Sequence, residues 1–431
     1  MARRKIKDLI ADNAILELQD GNHGEKHPTA ADYVEQGIPF LMARDFQNGQ
    51  VDLSGACKIP KSLGDSLRIG FARTGDVLLT HKGSVGLVAI VPEVPDYVML
   101  TPQVTYYRTN PAKLSNSYLK YAFQAPFFRD QLDSFSAQST RPYIGITAQK
   151  ELQLDFPPLP VQRRIAGILS AYDELMENSQ RRIRLWEAMA RARYRAWVVH
   201  FRFPAHEKHP RVASPLGDIP QGWEATILGT HLAALESGKR PKGGIRDVDD
   251  GVPSIGAENI NGIGRHDFAG EKFIPREFFG EMRKGVVRDR DVAIYKDGAY
   301  IGKSSYFRDG FPHTECCVNE HVFLLRANGV RLKQNALYLW LQEPDTVQTI
   351  RSKNANAAQP GINQQTVGGL ELILPDEKTA AHFDRLVEPL LAEIICFSKR
   401  IQNLRRTRDL LLPRLLSGQV ELKTGNSYAK N

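Results

Sequence analysis

Ten positions, spaced alternately four and three residues apart, occur twice in this 431-residue chain, and each position of the second set lies 218 residues beyond its counterpart in the first. The first set is Ile165, Leu169, Tyr172, Met176, Ser179, Ile183, Trp186, Ala190, Arg193 and Trp197. The second is Phe383, Val387, Leu390, Ile394, Phe397, Ile401, Leu404, Arg408, Leu411 and Leu415. Eight of the first ten and nine of the second ten are apolar. Each stretch therefore carries the narrow seam of a coiled coil, and a repeat near 3.5 favours a left-handed supercoil. Each seam spans roughly 50 Å at 1.5 Å per residue. The shared register predicts that the two helices pack on each other, antiparallel if the two halves are related by a pseudo-twofold. The other reading is that each helix packs on its own globule. Pro389 lies inside the second seam, removes a backbone hydrogen bond and should kink that helix.

The repetition extends beyond the helices. Gly37-Ile38-Pro39 is echoed by Gly251-Val252-Pro253, and Asp76-Val77-Leu78-Leu79 by Asp291-Val292-Ala293-Ile294. Leu154-Asp155-Phe156-Pro157 is echoed by Leu372-Ile373-Leu374-Pro375. The offset grows slowly from 214 to 218, as expected of a unit of about 200 residues used twice, with small insertions in the second copy. Short alternating segments with Gly, Pro and Asn punctuation read as strands at Val77 to Thr80, Leu87 to Val91, Val104 to Arg108, Val292 to Tyr295 and His321 to Arg326. The expected fold class is α+β: two duplicated mixed α/β domains joined by two long helices packed as an antiparallel coiled coil. The expected segments are a first domain over 1–156, a long helix over 157–202, a Pro-rich linker over 203–222, a second domain over 223–374, a second long helix over 375–418 and a polar tail over 419–431.

The residues that could carry chemistry form no recognisable set. Gly298-Ala299-Tyr300-Ile301-Gly302-Lys303-Ser304 is one residue short of a phosphate-binding loop, so a hairpin turn is expected there. Asp155-Phe156-Pro157-Pro158 loosely matches the Asp-Pro-Pro-aromatic loop of amino-methyltransferases, but Phe156 breaks it and no Gly-rich cofactor loop accompanies it. Pro375-Asp376-Glu377-Lys378 reads as a helix start with acids at the positive dipole end. His200, His206 and His209 are expected to be solvent-facing rather than metal ligands, because no Cys or carboxylate completes a set. No catalytic, cofactor or metal residues are assigned. The four cysteines, Cys57, Cys316, Cys317 and Cys396, form no CxxC pair, and thiols of this kind suit a reducing cytosol. Asp8, Asp12 and Glu17 interrupt any apolar signal segment, and no 18-residue apolar run is present.

The net charge of +8 suggests a polyanionic partner. Nine arginines stand against four acids in Val161–Arg202, net +5; this is either a solvated helix face or a phosphate track and docking surface. Polar and basic loop residues are the candidates for entering a DNA groove, where Arg or Lys reads guanine and Asn or Gln reads adenine. In the first copy these are Arg44, Lys82, Ser84, Gln138 and Arg141. In the second they are Lys239, Arg240, Lys242, Asn259, Lys296, Lys303, Gln359 and Asn363.

The run Leu154-Asp155-Phe156-Pro157-Pro158-Leu159-Pro160-Val161-Gln162-Arg163-Arg164-Ile165, leading into the long helix, resembles the central region of the specificity subunits of type I restriction–modification systems. Ile219-Pro220-Gln221-Gly222-Trp223 is similar to the start of that family's second target-recognition domain, and Leu412-Pro413-Arg414-Leu415-Leu416-Ser417-Gly418 to its ending. Val161 stands where the family usually has Glu, and Pro375-Asp376-Glu377-Lys378 departs from the matching run in the second copy. The resemblance implies a non-catalytic, cytoplasmic subunit that binds double-stranded DNA, each domain reading half of a bipartite asymmetric site. It implies two methyltransferase (modification) subunits that methylate adenine N6 with S-adenosylmethionine. It also implies motor/nuclease (restriction) subunits that use ATP and magnesium, with no cofactor bound by this chain. The competing readings are a two-headed DNA-binding regulator without enzymatic partners and an enzyme whose site has no sequence signature.

Overall fold

The computed structural model describes residues 2–24, 26–47, 49–136, 142–241, 248, 251–353, 361–420 and 422. The chain divides into two compact units, one formed by Met1–Leu175 with Leu404–Asn431 and the other by Met176–Asn403.

The first unit is built on two four-stranded sheets. In one the order is Ile15–Asp20, Val104–Thr109, Val77–Thr80, Val88–Ile90, all antiparallel. In the other it is Cys57–Ile59, Ile38–Leu41, Val98–Leu100, Phe71–Ala72, with the two central strands parallel. Val77-Leu78-Leu79-Thr80 is buried along its whole length, so three consecutive apolar residues stand there in place of the expected alternation. The period-2 geometry still sorts its side chains. Val77 and Leu79 pack with Tyr107 against the helix Asn116–Gln124, while Leu78 packs with Val104 and Tyr106 toward the second sheet.

The second unit repeats this plan. The strands Leu232–Ser237, Val322–Ala327, Val292–Tyr295 and Ser304–Tyr306 follow the same order, with Gly262–Ile263 added at the edge. Val252–Ile255 pairs antiparallel with Phe273–Ile274 and parallel with Cys317–Val318. Val292, Ile294, Phe323 and Leu325 enter one core, and Ala293, Val322 and Leu324 the other.

Two features are repeated almost atom for atom. Arg108 donates to both oxygens of Asp76 at 3.0 and 2.8 Å and to the carbonyl of Phe71 at 3.2 Å, and also pairs with Glu17. Arg326 donates to both oxygens of Asp291 at 2.6 and 2.7 Å, to the carbonyl of Val286 at 3.0 Å and to Glu236 at 2.8 Å. A planar guanidinium fork suits this bidentate arrangement, and Lys would not. The second feature is a close backbone crossing. A Cβ at Gly21 would lie 1.9 Å from the carbonyl oxygen of Thr101, and one at Gly238 would lie 1.8 Å from that of Val318. Only glycine fits either place.

The first long helix runs Leu159–Tyr194 and closes in a π turn over Arg195–Val199; the second runs Glu377–Leu416. Within the first unit, Ile165, Ala166 and Leu169 share a core with Leu412, Leu415 and Leu416. Within the second, Ile183, Ala190, Tyr194 and Trp197 share a core with Phe383, Val387, Leu391, Ile394 and Phe397. In each unit the beginning of one helix thus meets the end of the other, as antiparallel pairing requires. Both sets also contact the sheet residues of their unit, so the helices pack on each other and on the globule at once. The seam departs from expectation at Arg193, which is exposed. Tyr194 takes the buried place, 5.9 Å from the ring of Phe383, just before the π turn re-phases the helix. Pro389 stands inside the continuous helix Glu377–Leu416. It faces solvent, where water can serve the carbonyl that loses its partner. Of the arginine run, Arg191 is tied to Gln342 at 2.8 Å and Arg195 to Glu343 at 2.9 Å, so part of it fastens the helix to its globule. Among the described residues no helix is long and apolar enough to cross a membrane.

Candidate nucleic-acid interface

The strand registers fix which loops share an end. In the first unit Asp20 lies opposite Thr105 and Thr80 opposite Val104, while Leu41 runs alongside Leu100. The loops that follow Asp20, Leu41 and Thr80, and the turn before Val104, therefore gather at one end of the sheets. His81 N donates to the carbonyl of Gln103 at 2.9 Å, and Ile144 N to the carbonyl of His81 at 3.0 Å, which adds the segment 142–145. In the second unit Ser237 lies opposite Phe323, Tyr295 opposite Val322, and Ile255 alongside Val318. Lys296 N donates to the carbonyl of His321 at 3.1 Å and Ile362 N to the carbonyl of Lys296 at 2.9 Å, the same two bonds in the second copy.

The sequence candidates among the described residues fall on these two loop ends. Arg44 sits in the turn Ala43–Asp45 with 63% of its side chain exposed, its guanidinium 3.0 Å from the Cys57 sulfur. Lys82 and Ser84 are exposed on the loop after Thr80. Lys239 and Arg240 are exposed after Gly238, and Arg240 pairs with Glu320 at 3.1 Å. Lys296 and Lys303 are half-buried, their ammonium groups over the rings of Phe323 at 4.9 Å and Tyr300 at 4.2 Å. Asn363 is exposed and caps the short helix Gln364–Gly368, its amide oxygen accepting from Thr366 N at 2.8 Å. Asn259 is a correction. It is 4% exposed, and its side-chain oxygen accepts from Asp267 N at 2.9 Å, so it holds the turn and is not presented to a groove. Gln138, Arg141, Lys242 and Gln359 lie outside the described residues.

Other residues at these ends escaped the sequence reading. Tyr143 is 55% exposed, with its ring 5.5 Å from that of His81, and Tyr300 is 57% exposed. Each offers an amphipathic face beside the basic loop. His321 pairs with Asp297 at 2.8 Å. No local motif marks these residues; only the offset of 215–218 could have led from the first loop to the second.

The two ends rest on different supports. Below His81, Asp20 accepts from Thr105 at 2.8 Å, Thr105 accepts from Gln149 at 3.0 Å, and Tyr107 donates to Gln149 at 2.6 Å. Burial lowers the pKa of the His81 imidazole from its ordinary value, although Asp20, 3.4 Å away, opposes the shift. At the corresponding places the second unit has Phe323, Leu325 and Val367, all buried and apolar.

Away from the loop ends, three side chains could hold a metal. The nitrogens of His266 and His313 and a carboxylate oxygen of Glu271 lie within 4.8 Å of one another. The histidines considered from sequence do not join them. His206 Nδ1 faces the carbonyl of Phe203 at 2.9 Å, and the His209 ring packs on Phe203 at 5.0 Å.

Comparison with known proteins agrees with this architecture. Residues 15–185 match the family described as the type I restriction modification DNA specificity domain. The type I restriction enzyme MjaIX specificity subunit of Methanocaldococcus jannaschii is 23% identical over 390 residues, covering 90% of this chain and 87% of that protein. The MjaVIII specificity subunit of the same organism is 20% identical, covering 82% and 78%. The crystal structure of the S subunit of a type I restriction-modification system from M. genitalium shares the fold, with a TM-score of 0.57 over 96% of both chains at 15% identity.

Proposed function

We propose that this chain, a relative of the specificity subunits of type I restriction–modification systems, reads a bipartite, asymmetric DNA site, one half with the loop end of each unit. The observation that carries this reading is the repetition itself. Two loop ends share a backbone framework, down to the Arg108 and Arg326 nodes, yet differ in the side chains they expose. A conserved scaffold with divergent loops is what reading two unlike half-sites requires. On this reading the long helices serve as the spacer between the two readers. About 50 Å of helix is enough to separate them by one turn of DNA, roughly 34 Å. The chain performs no chemistry. Two modification subunits carry out adenine N6 methylation with S-adenosylmethionine, and restriction subunits cut using ATP and magnesium, all in the cytoplasm. Apolar side chains exposed on the helices, Leu185 at 58% and Leu410 at 55%, favour a partner-covered surface there.

The test is co-expression with a methyltransferase subunit encoded beside it, followed by mapping of adenine methylation on genomic DNA. Methylation confined to one split motif, and absent without this chain, is the expected result. Methylation that ignores its removal would leave the two-headed regulator as the better reading. Deleting one heptad from the first helix should change the spacer or abolish binding; an unchanged site bound at full affinity would overturn the spacing role.

A further inference from the structure

The second unit contains a convergence of metal-binding groups that DNA reading does not use. His266 and Glu271 lie on the segment joining Gly262–Ile263 to Phe273–Ile274, and His313 lies between Ser304–Tyr306 and Cys317–Val318. The Nε2 atoms of both histidines close on the same oxygen, Oε1 of Glu271. The two imidazole rings stand perpendicular, 5.4 Å between centroids, so they approach that point from different directions. Phe268 packs edge-on against both rings, at 4.6 and 5.7 Å, and Phe311 packs against Phe268. The His266 side chain is 1% exposed and that of Glu271 10%, while His313 at 25% leaves a way in from solvent. Nδ1 of His266 is buried with no partner among the described residues, so the ring engages polar groups only through Nε2. The loop is fixed from behind: Asp267 N donates to Asn259 and Ala269 N donates to Asp267 at 3.0 Å.

We propose that His266, Glu271 and His313 bind one divalent transition-metal ion of the zinc class and so clamp the 264–272 segment to the 310–316 segment. Two borderline imidazole nitrogens beside one hard carboxylate oxygen suit zinc, cobalt or nickel, and so few oxygen donors suit calcium or magnesium poorly. Ligand atoms about 2.0–2.2 Å from a tetrahedral zinc lie roughly 3.4 Å apart. The three donors all lie within 4.8 Å of one another, and a metal between them would take the place of the direct Nε2 to Oε1 contacts as the two rings draw back to that spacing. The fourth position falls to water. Each imidazole binds through Nε2 as the neutral ring, which keeps its one proton on Nδ1. The clamp is specific to one copy: the corresponding stretches of the first unit, 49–56 and 92–98, contain no histidine.

The experiment uses the full chain, stripped with a chelator and titrated with Co²⁺. The expected result is a visible d–d band of four- or five-coordinate intensity that saturates at one Co²⁺ per chain and is displaced by Zn²⁺. His313→Ala should weaken binding at least tenfold, and Glu271→Gln should also weaken it. His206→Ala, in the linker, should leave the titration unchanged. Because His313 is partly exposed, its variant is the one most apt to stay folded, and circular dichroism checks this. A Co²⁺ titration with no saturable band, or a band that survives unchanged in folded His313→Ala, would overturn the proposal.

Discussion

Both units tie a buried ion pair or polar network to their sheets, but they place it differently. In the first unit the network Asp20–Thr105–Gln149–Tyr107 lies directly under the loop end, and the long-helix side is fastened by Asp173 with Lys120, Tyr121 and Arg408. In the second unit the support under the loops is apolar, and the polar network moves to the helix side. There Glu388 binds Arg308 at 2.7 Å, Arg290 at 2.6 Å and Asn335 at 2.8 Å. The shared backbone plan therefore does not require a particular core chemistry. It accepts either a polar or an apolar layer at the same backbone positions, provided the groups within each network pair with one another.

The largest effect is expected where a charge would be orphaned. Arg308 is 1% exposed, so Glu388→Gln leaves it with Asp309 alone and should destabilise the second unit by about 3 kcal/mol, the low end for a broken buried pair. Hydrogen exchange on Val292–Tyr295 and Val322–Ala327 in the full chain would report it. Unchanged protection would mean that the network is dispensable. A smaller loss should follow Gln149→Val in the first unit, which removes the acceptor of the Tyr107 hydroxyl and costs about 1–3 kcal/mol. Tyr107→Leu with Gln149→Val imitates Leu325 and Val367 and should cost less than the two single changes added together. Strict additivity in that cycle would show that the two residues do not act as one network.

Acid separates the ties further. Burial pushes the Glu388 carboxyl up, but Arg308, Asn335 and Arg290 outweigh it and hold its pKa at about 2. A carboxylate depressed from about 4.3 in the unfolded chain contributes stability that is complete above pH 4.3 and is lost as pH falls toward 2. Glu388→Gln should therefore flatten the loss of second-unit protection between about pH 4.5 and 2. A slope identical to that of the parent chain would reject this assignment. Asp173 is depressed too, since Lys120 and Arg408 overcome its burial, so the first unit should weaken in the same direction. The smallest effect concerns the proposed DNA contacts. Lys82→Ala and Lys296→Ala, one in each unit, should each lower the salt slope of binding by about 1 without altering the preferred site. A slope that does not change would remove that lysine from the phosphate contacts.

Residue order alone carries the duplication, the two long helices and the strands that divide between two cores. These follow from periodicity and offset, which the backbone geometry of helix and strand writes directly into residue order. It also directed attention to the loops that gather at the two ends, because turn residues with basic neighbours are visible locally. What it could not give were facts that depend on which distant residues meet. Asn259 has the side chain of a base reader, but its oxygen is taken by Asp267 N, eight residues on. The seam's Arg193 gave way to Tyr194, whose ring packs on Phe383 from the other long helix. His266, Glu271 and His313 are separated by 5 and 42 residues and share no spacing motif. Only strand order and loop packing bring them within 4.8 Å. Local periodicity is set by bonds along the chain, whereas a site is set by the three-dimensional packing of segments whose sequence separation is arbitrary.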